Sequence, residues 1–199
     1  KLSSTIQNIY AAREELLAKY PGRVLRVVDT LSISAPQTIL ILKAYKMYAT
    51  GASLDEVAEW VERNKLRARA FFMVDDLKYL RRGGRISAAA ATFGTMLDLK
   101  PIIVEARDGS LAAAEKVQGR KKAIRTLVER TVENIENPDD QTLIIMHADA
   151  KEDADRLEVM LRERIPELKS IEQIFVGPVI GAHAGPGTLA SCFMGKERP

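Results

Sequence analysis

Ile102-Ile103-Val104-Glu105-Ala106-Arg107-Asp108-Gly109-Ser110-Leu111-Ala112-Ala113-Ala114-Glu115-Lys116-Val117 is the stretch whose reading decides the fold. Ile102 to Glu105 and Leu111 to Val117 are short strand-like runs, and Arg107-Asp108-Gly109-Ser110 between them carries the Asp-Gly pair that a tight hairpin turn favours. This half of the chain therefore calls for antiparallel pairing. Upstream, Ala70 to Val74 is a further strand candidate. Downstream, Ile124, Leu127, Val128, Thr131 and Ile135 fall on one helical face, Thr142 to Met146 form a strand, and Leu157, Met160, Leu161 and Ile165 form another helix stopped by Pro166. Ile171 to Val176 and Leu189 to Met194 are two more strands. The order strand, hairpin, helix, strand, helix, strand, strand predicts an α/β sandwich with a mainly antiparallel sheet.

The texture before Arg69 is different. Ser3-Ser4-Thr5 is a cap signal for a helix with Ile6, Ile9, Leu16 and Leu17 near one face, ended by Pro21-Gly22. Val24, Leu25, Val27 and Val28 form a near-continuous apolar run of the kind buried on both faces of a parallel sheet. Pro36 opens a second helix, apolar around much of its circumference from Ile39 to Tyr48 and closed by Gly51, which predicts burial. Ser53 with Glu56 is a capping box for a third helix carrying Leu54, Val57, Ala58 and Val61. The expected boundary lies near Leu66 to Arg69, giving 1–68 as the remainder of an N-terminal parallel-sheet α/β domain and 69–199 as the C-terminal sandwich. The start at Lys1, without Met, suggests a fragment.

The 199 residues are 46% hydrophobic and 29% charged, enough to bury a core. Thirty Lys and Arg against 27 Asp and Glu leave a net charge of +3, too little for the whole-molecule field on which nucleic-acid binders rely. The single cysteine, Cys192, is expected to be a buried small hydrophobe in a reducing compartment, and the absence of a membrane-length apolar run points to a cytoplasmic place.

Four stretches carry possible chemistry. Gly181-Ala182-His183-Ala184-Gly185-Pro186-Gly187-Thr188 reads as a glycine-rich turn whose backbone N–H groups, with His183 and the Thr188 hydroxyl, suit an anion; a tight turn with a core-satisfied histidine is the plainer alternative, and His147 is left at that. Asp75-Asp76-Leu77-Lys78-Tyr79-Leu80-Arg81-Arg82-Gly83-Gly84-Arg85-Ile86-Ser87 joins a strand to a helix, and its glycine pair would let the Arg85 guanidinium reach a carboxylate or phosphate, a solvated basic loop being the plainer alternative. Arg81 and Arg82 belong to a solvated face. Asp75 and Asp76 on a strand would point to opposite faces, so no metal site is expected. Lys116-Val117-Gln118-Gly119-Arg120-Lys121-Lys122-Ala123 places basic side chains at a helix N-terminus, against the dipole, which hints at an external anionic partner. Ser3 and Ser4 precede a helix, where hydroxyls either bind an anion or simply cap.

These stretches occur in an order that resembles the DegV family of bacterial fatty-acid-binding proteins. Leu-Ser-Ser-Thr-Ile-Gln (2–7), Val-Val-Asp-Thr-Leu-Ser (27–32), Val-Asp-Asp-Leu-Lys-Tyr-Leu-Arg-Arg-Gly-Gly-Arg-Ile-Ser (74–87), Lys-Pro-Ile (100–102), Lys-Val-Gln-Gly-Arg-Lys-Lys-Ala (116–123) and Pro-Val-Ile-Gly-Ala-His-Ala-Gly-Pro-Gly-Thr (178–188) together span essentially the whole chain. The resemblance implies a DegV-like two-domain α/β architecture that holds one long-chain fatty acid between its domains. It further implies a non-catalytic carrier without cofactor, which presents the carboxylate to a separate fatty acid kinase catalytic subunit, the acyl-phosphate then serving phospholipid synthesis through acyltransferase machinery at the membrane surface. By motif, the carboxylate-contacting histidine falls on His183, the Gly-Gly-Arg arginine on Arg85 and the serine on Ser3 with Ser4 beside it, while Thr188 adds a hydroxyl. The kinase contact falls on Arg120 and Lys121. The family usually has glycine where this chain has Ser4, and its N-terminal Thr-Ser-x-Pro-type loop does not appear in the sequence. A monomer is expected. The rival readings are a phosphoryl- or acyl-transfer enzyme using His183 and Arg85, against which the lack of a Walker loop, nucleophile elbow or metal cluster weighs, and a nucleic-acid-binding module on the basic helix start.

Overall fold

The computed structural model describes residues 2–87 and 99–198. Six strands, β1 (Ala68–Met73), β2 (Leu99–Glu105), β3 (Leu111–Gln118), β4 (Thr142–His147), β5 (Ser170–Phe175) and β6 (Leu189–Met194), form one sheet in the order β3-β2-β1-β6-β4-β5. Every neighbouring pair is antiparallel except β4 with β5. The described residues also hold seven α-helices: α1 (Thr5–Lys19), α2 (Ser34–Ala49), α3 (Leu54–Asn64), α4 (Lys78–Arg82), α5 (Arg120–Asn134), α6 (Lys151–Arg164) and α7 (Pro178–Ala184). The α/β class with a mainly antiparallel sheet, and all six strands expected after Arg69, are thus present.

The hairpin forms where its turn residues place it. Gly109 at φ +80 lets the chain reverse, Ala106 N–H donates to the Ser110 carbonyl at 2.8 Å, and the Asp108 carboxylate accepts from Ser110 N–H at 2.9 Å. The period of two along each strand then splits the sheet into two faces. Phe71, Met73, Ile102, Leu143, Ile145, Leu189 and Phe193 point to the face covered by α5 and α6, meeting Ile124, Leu127, Leu157 and Leu161 in the largest core cluster. The other face presents Ala70, Ile144, Met146, Ala190 and Cys192 toward the first turns of α2, with Ala35 and Ile39. Cys192 is a buried free thiol, and burial pushes its pKa up, as a packed hydrophobe requires. His147 is likewise a satisfied core residue: its ring meets Phe175 edge-on at 5.3 Å and its Nδ1 accepts from Ala150 N–H at 3.4 Å.

The N-terminal part departs from expectation in two places. Val24 to Val28 is not a strand, because the sheet ends at β3 and β5 and no strand among the described residues lies alongside to complete its ladder. No parallel-sheet remnant is therefore seen there; the one parallel pair among the described residues is β4 with β5. Helix α2 is buried only over its first half, at Ala35, Pro36, Ile39 and Leu40, whereas Ile41, Leu42, Tyr45 and Tyr48 are exposed. Helix α1 buries no residue at all. Helix α3 begins with the expected capping box, Ser53 Oγ accepting from Glu56 N–H and the Glu56 carboxylate from Ser53 N–H. Ser53→Ala is expected to cost about 1 kcal/mol in urea denaturation.

One long-range tie closes the structure. Arg198, 1% exposed, donates to the carbonyls of Leu31 (2.8 Å), Ala68 (3.1 Å) and Lys65 (3.2 Å) and to Ser32 Oγ, and lies 3.5 Å from the Glu105 carboxylate. It fastens the segment before α2, the start of β1 and the end of β2 to one guanidinium. No helix among the described residues is long and apolar enough to cross a membrane.

Candidate functional site

Small side chains on the α2 face of the sheet leave a space that larger ones would fill. Ala70 on β1 is level with Cys192 on β6, and Phe72 with Ala190, so a low floor of Ala70, Ala190 and Cys192 runs between the taller Phe72 and Met146. Over this floor lies a cavity of about 280 Å³, walled by Ile33 and Pro36 at the start of α2, Leu80, Leu111, and Ile180 with Val179 on α7. It is an apolar slot in whose lining Arg85 and His183 meet beside Gly83, which makes that part its polar end.

That end is built by close glycine packing. Helices α4 and α7 lie against each other, and Gly83 has room for hydrogen only: a Cβ there would stand 2.1 Å from His183 Nδ1. Gly185, at φ +81 and ψ 169, lets the turn after α7 press on the Tyr79 ring, and Gly187, at φ +79, fits against the Asp75 carboxylate. The stretch expected to be a turn is thus the end of α7 as far as Ala184, followed by the turn from Gly185, and His183 sits in the helix's last turn. Arg85, just past the Gly83-Gly84 reversal, donates from Nε to the Leu2 carbonyl at 3.0 Å and from Nη1 to the Gly83 carbonyl.

Four of the five sequence-derived anion contacts, Ser3, Arg85, His183 and Thr188, line this one cavity. Ser4 does not line it; it is the N-cap residue of α1 and makes no side-chain cap. The Ser3 hydroxyl is exposed and donates to Thr5 Oγ1 at 3.1 Å. Thr188 is buried with its hydroxyl proton given to the Gly185 carbonyl at 2.8 Å, so here it fastens the turn. Leu2, Thr5, Ser34 and Glu105 line the cavity as well and were not among the contacts expected from the sequence. The signal available for the floor was the alternation of small with large residues in Ala70-Phe71 and Cys192-Phe193.

The basic stretch is arranged differently from its sequence reading. Arg120, at the start of α5, donates to Asp75 at 2.7 Å and to Asp153, so its charge is balanced within the chain, while Lys121 and Lys122 are exposed. Asp75 also takes Lys100 at 3.0 Å, and Asp76 accepts from Lys78 N–H at 2.8 Å and pairs with the Lys78 ammonium, which holds the Asp76 carboxyl below its ordinary range. Both lie in the loop after β1, not on a strand. Arg81 and Arg82 are exposed.

Residues 1–196 match the family model described as "Uncharacterised protein, DegV family". A DegV domain-containing protein of Clostridium perfringens is 43% identical over 197 residues, which are 99% of this chain and 67% of that protein. Among solved structures, a fatty acid binding DegV family protein from Streptococcus agalactiae superposes with a TM-score of 0.83 at 28% identity, over 98% of this chain and 67% of that one. The Fatty Acid Kinase (Fak) B3 protein of Streptococcus pneumoniae, loaded with linoleic acid, shares the fold with a TM-score of 0.88 at 19% identity, over 98% of this chain and 68% of the other.

Proposed function

The chain belongs to the DegV family, and on that premise we propose that it binds a long-chain fatty acid in the slot above Ala70, Ala190 and Cys192, with the carboxylate at the end occupied by His183 and Arg85. The observation that carries this reading is the meeting, in one apolar cavity, of an arginine and a histidine brought from separate parts of the chain by α4 and α7. Each methylene taken from water is worth about 0.8 kcal/mol, so a long tail gains on the order of 10 kcal/mol. A carboxylate without partners would forfeit much of that gain, and the Arg85 guanidinium and the His183 imidazole supply donors at the slot's polar end. Ser3 adds a hydroxyl there, Ser4 stands beside it, and Thr188 contributes by holding the Gly185 turn, its own hydroxyl reaching a ligand only if it rotates off that carbonyl.

The fatty-acid-binding protein of Streptococcus agalactiae supports the ligand class. The role proposed is that of a carrier and not a catalyst, cofactor-free and monomeric, in the cytoplasm. It presents the acid to a fatty acid kinase catalytic subunit through Arg120 and Lys121, and the acyl-phosphate is consumed by acyltransferases at the membrane surface. Arg120 would have to exchange Asp75 or Asp153 for an acidic group of the kinase, which makes Lys121 the readier first contact. The division of the chain near residue 68 belongs to the same reading: α1 to α3 as the remainder of one α/β domain, and the sheet with α4 to α7 as the other.

Mass spectrometry of gently extracted purified protein tests the proposal. A stoichiometric fatty acid is expected in the wild type, and less than about a tenth as much in the double variant Arg85→Ala/His183→Ala, since each lost charged hydrogen bond is worth about 1.5–3 kcal/mol. Wild-type protein without lipid, in buffer and after incubation with fatty acids, would refute it. Turnover of ATP and fatty acid by the protein alone would favour the enzyme instead.

A further inference from the structure

Beyond its polar end, the slot has two more polar side chains in its lining, Glu105 and Ser34. Ile103 is level with Phe72, so Glu105, two residues on, is level with Ala70 and hence with Cys192. Cys192 on β6 is four residues past Thr188, which immediately precedes that strand, roughly 13 Å at the rise of extended chain, or about ten carbons of an extended acyl chain. A fatty acid whose head lies near His183 and whose tail follows β6 toward Cys192 would pass Glu105 with the middle of its chain.

Neither group suits a methylene. Glu105 is 4% exposed and accepts from Ile33 N–H at 3.3 Å on Oε1 and from the Ser32 hydroxyl at 3.1 Å on Oε2, with Arg198 3.5 Å from Oε2. A carboxylate offers about four acceptor positions, so Oε1 keeps capacity. Ser34 donates only to the Met146 sulfur, at 3.4 Å, a weak acceptor. It is also held at φ +56, an unfavourable conformation for a serine, at the mouth of α2. A hydroxyl on the tail can satisfy both, giving its proton to Glu105 and accepting the Ser34 proton once that rotates off the sulfur.

We infer that the slot prefers an acyl chain carrying a hydroxyl near its middle, read by Glu105 Oε1 and Ser34 Oγ. The inference rests on the fatty-acid reading above and names the class of acid within it. A plain tail leaves the pair facing hydrocarbon, while a mid-chain hydroxyl replaces the water that the pair would otherwise hold.

Competition against a fluorescent fatty acid tests it with three probes: octadecanoic acid, 10-hydroxyoctadecanoic acid and 2-hydroxyoctadecanoic acid. The 10-hydroxy acid is expected to bind on the order of threefold to tenfold more tightly than the plain acid, and the 2-hydroxy acid to show no such gain. In Ser34→Ala the ratio between 10-hydroxy and plain acids should fall to near one. Ser34→Gly, which suits the positive φ and so guards against a folding defect in the alanine variant, should do the same. Equal binding of the 10-hydroxy and plain acids by wild type, or a preference that survives both substitutions, overturns the inference and leaves fatty-acid binding standing. Failure of all three acids to compete overturns both.

Discussion

Arg198→Ala is expected to lower the stability of the fold by about 3–5 kcal/mol at pH 8, because it leaves Glu105 as an unpaired buried carboxylate and orphans the carbonyls of Leu31, Lys65 and Ala68. The loss should depend on pH. Burial pushes the Glu105 pKa up, and the Arg198 charge, ahead of the Ser32 and Ile33 hydrogen bonds, pulls it back down. Without Arg198 the folded-state value rises further above the unfolded value of about 4.3. A raised carboxyl holds its proton in the folded state where the unfolded chain has released it, so its contribution is full below the unfolded value and is lost as pH rises through the folded one. The variant should therefore recover part of its stability between pH 8 and pH 5.5. Urea titrations of both proteins at the two pH values check this; a loss under about 1 kcal/mol at pH 8 would mean that Arg198 is not the tie its hydrogen bonds describe.

Gly185→Ala should uncouple the polar end of the slot. At φ +81 and ψ 169 the residue occupies a region that only glycine enters readily, and an alanine there carries about 1–3 kcal/mol of backbone strain. Its Cβ would also stand 2.4 Å from Tyr79 Cδ2, on the rigid ring of α4, so relief requires α4 and α7 to part. Arg85 follows α4 and His183 is on α7, so under the proposed function the expected outcome is a less stable protein that no longer retains a fatty acid. Gly181→Ala is the control, because no atom lies within 4 Å of its Cβ and its φ is not positive. Thermal melts with lipid analysis of both variants give the comparison; retained lipid in Gly185→Ala would show that α4 and α7 tolerate separation.

What the sequence by itself determined is a set of features with a local cause. The six strands after Arg69 follow from a period of two with turn residues between runs, the hairpin from Asp108-Gly109, and the start of α3 from Ser53 and Glu56, since each is set by residues a few positions apart. The glycines around Arg85 and His183 marked two stretches as unusual, but only the resemblance to a family gave those residues a role. Tertiary structure alone decided whether Val24 to Val28 pairs, because a strand needs another strand's N–H and C=O groups, and which half of α2 is covered, because an apolar face does not specify its cover. It also withdrew Ser4 from the cavity lining, committed the Thr188 proton to Gly185 and gave Arg120 to Asp75 and Asp153. Ser34, Glu105 and Arg198 acquire their meaning only where distant carbonyls, carboxylates and the sheet face converge, since the free energy of a buried polar group depends on the partners that the fold brings to it.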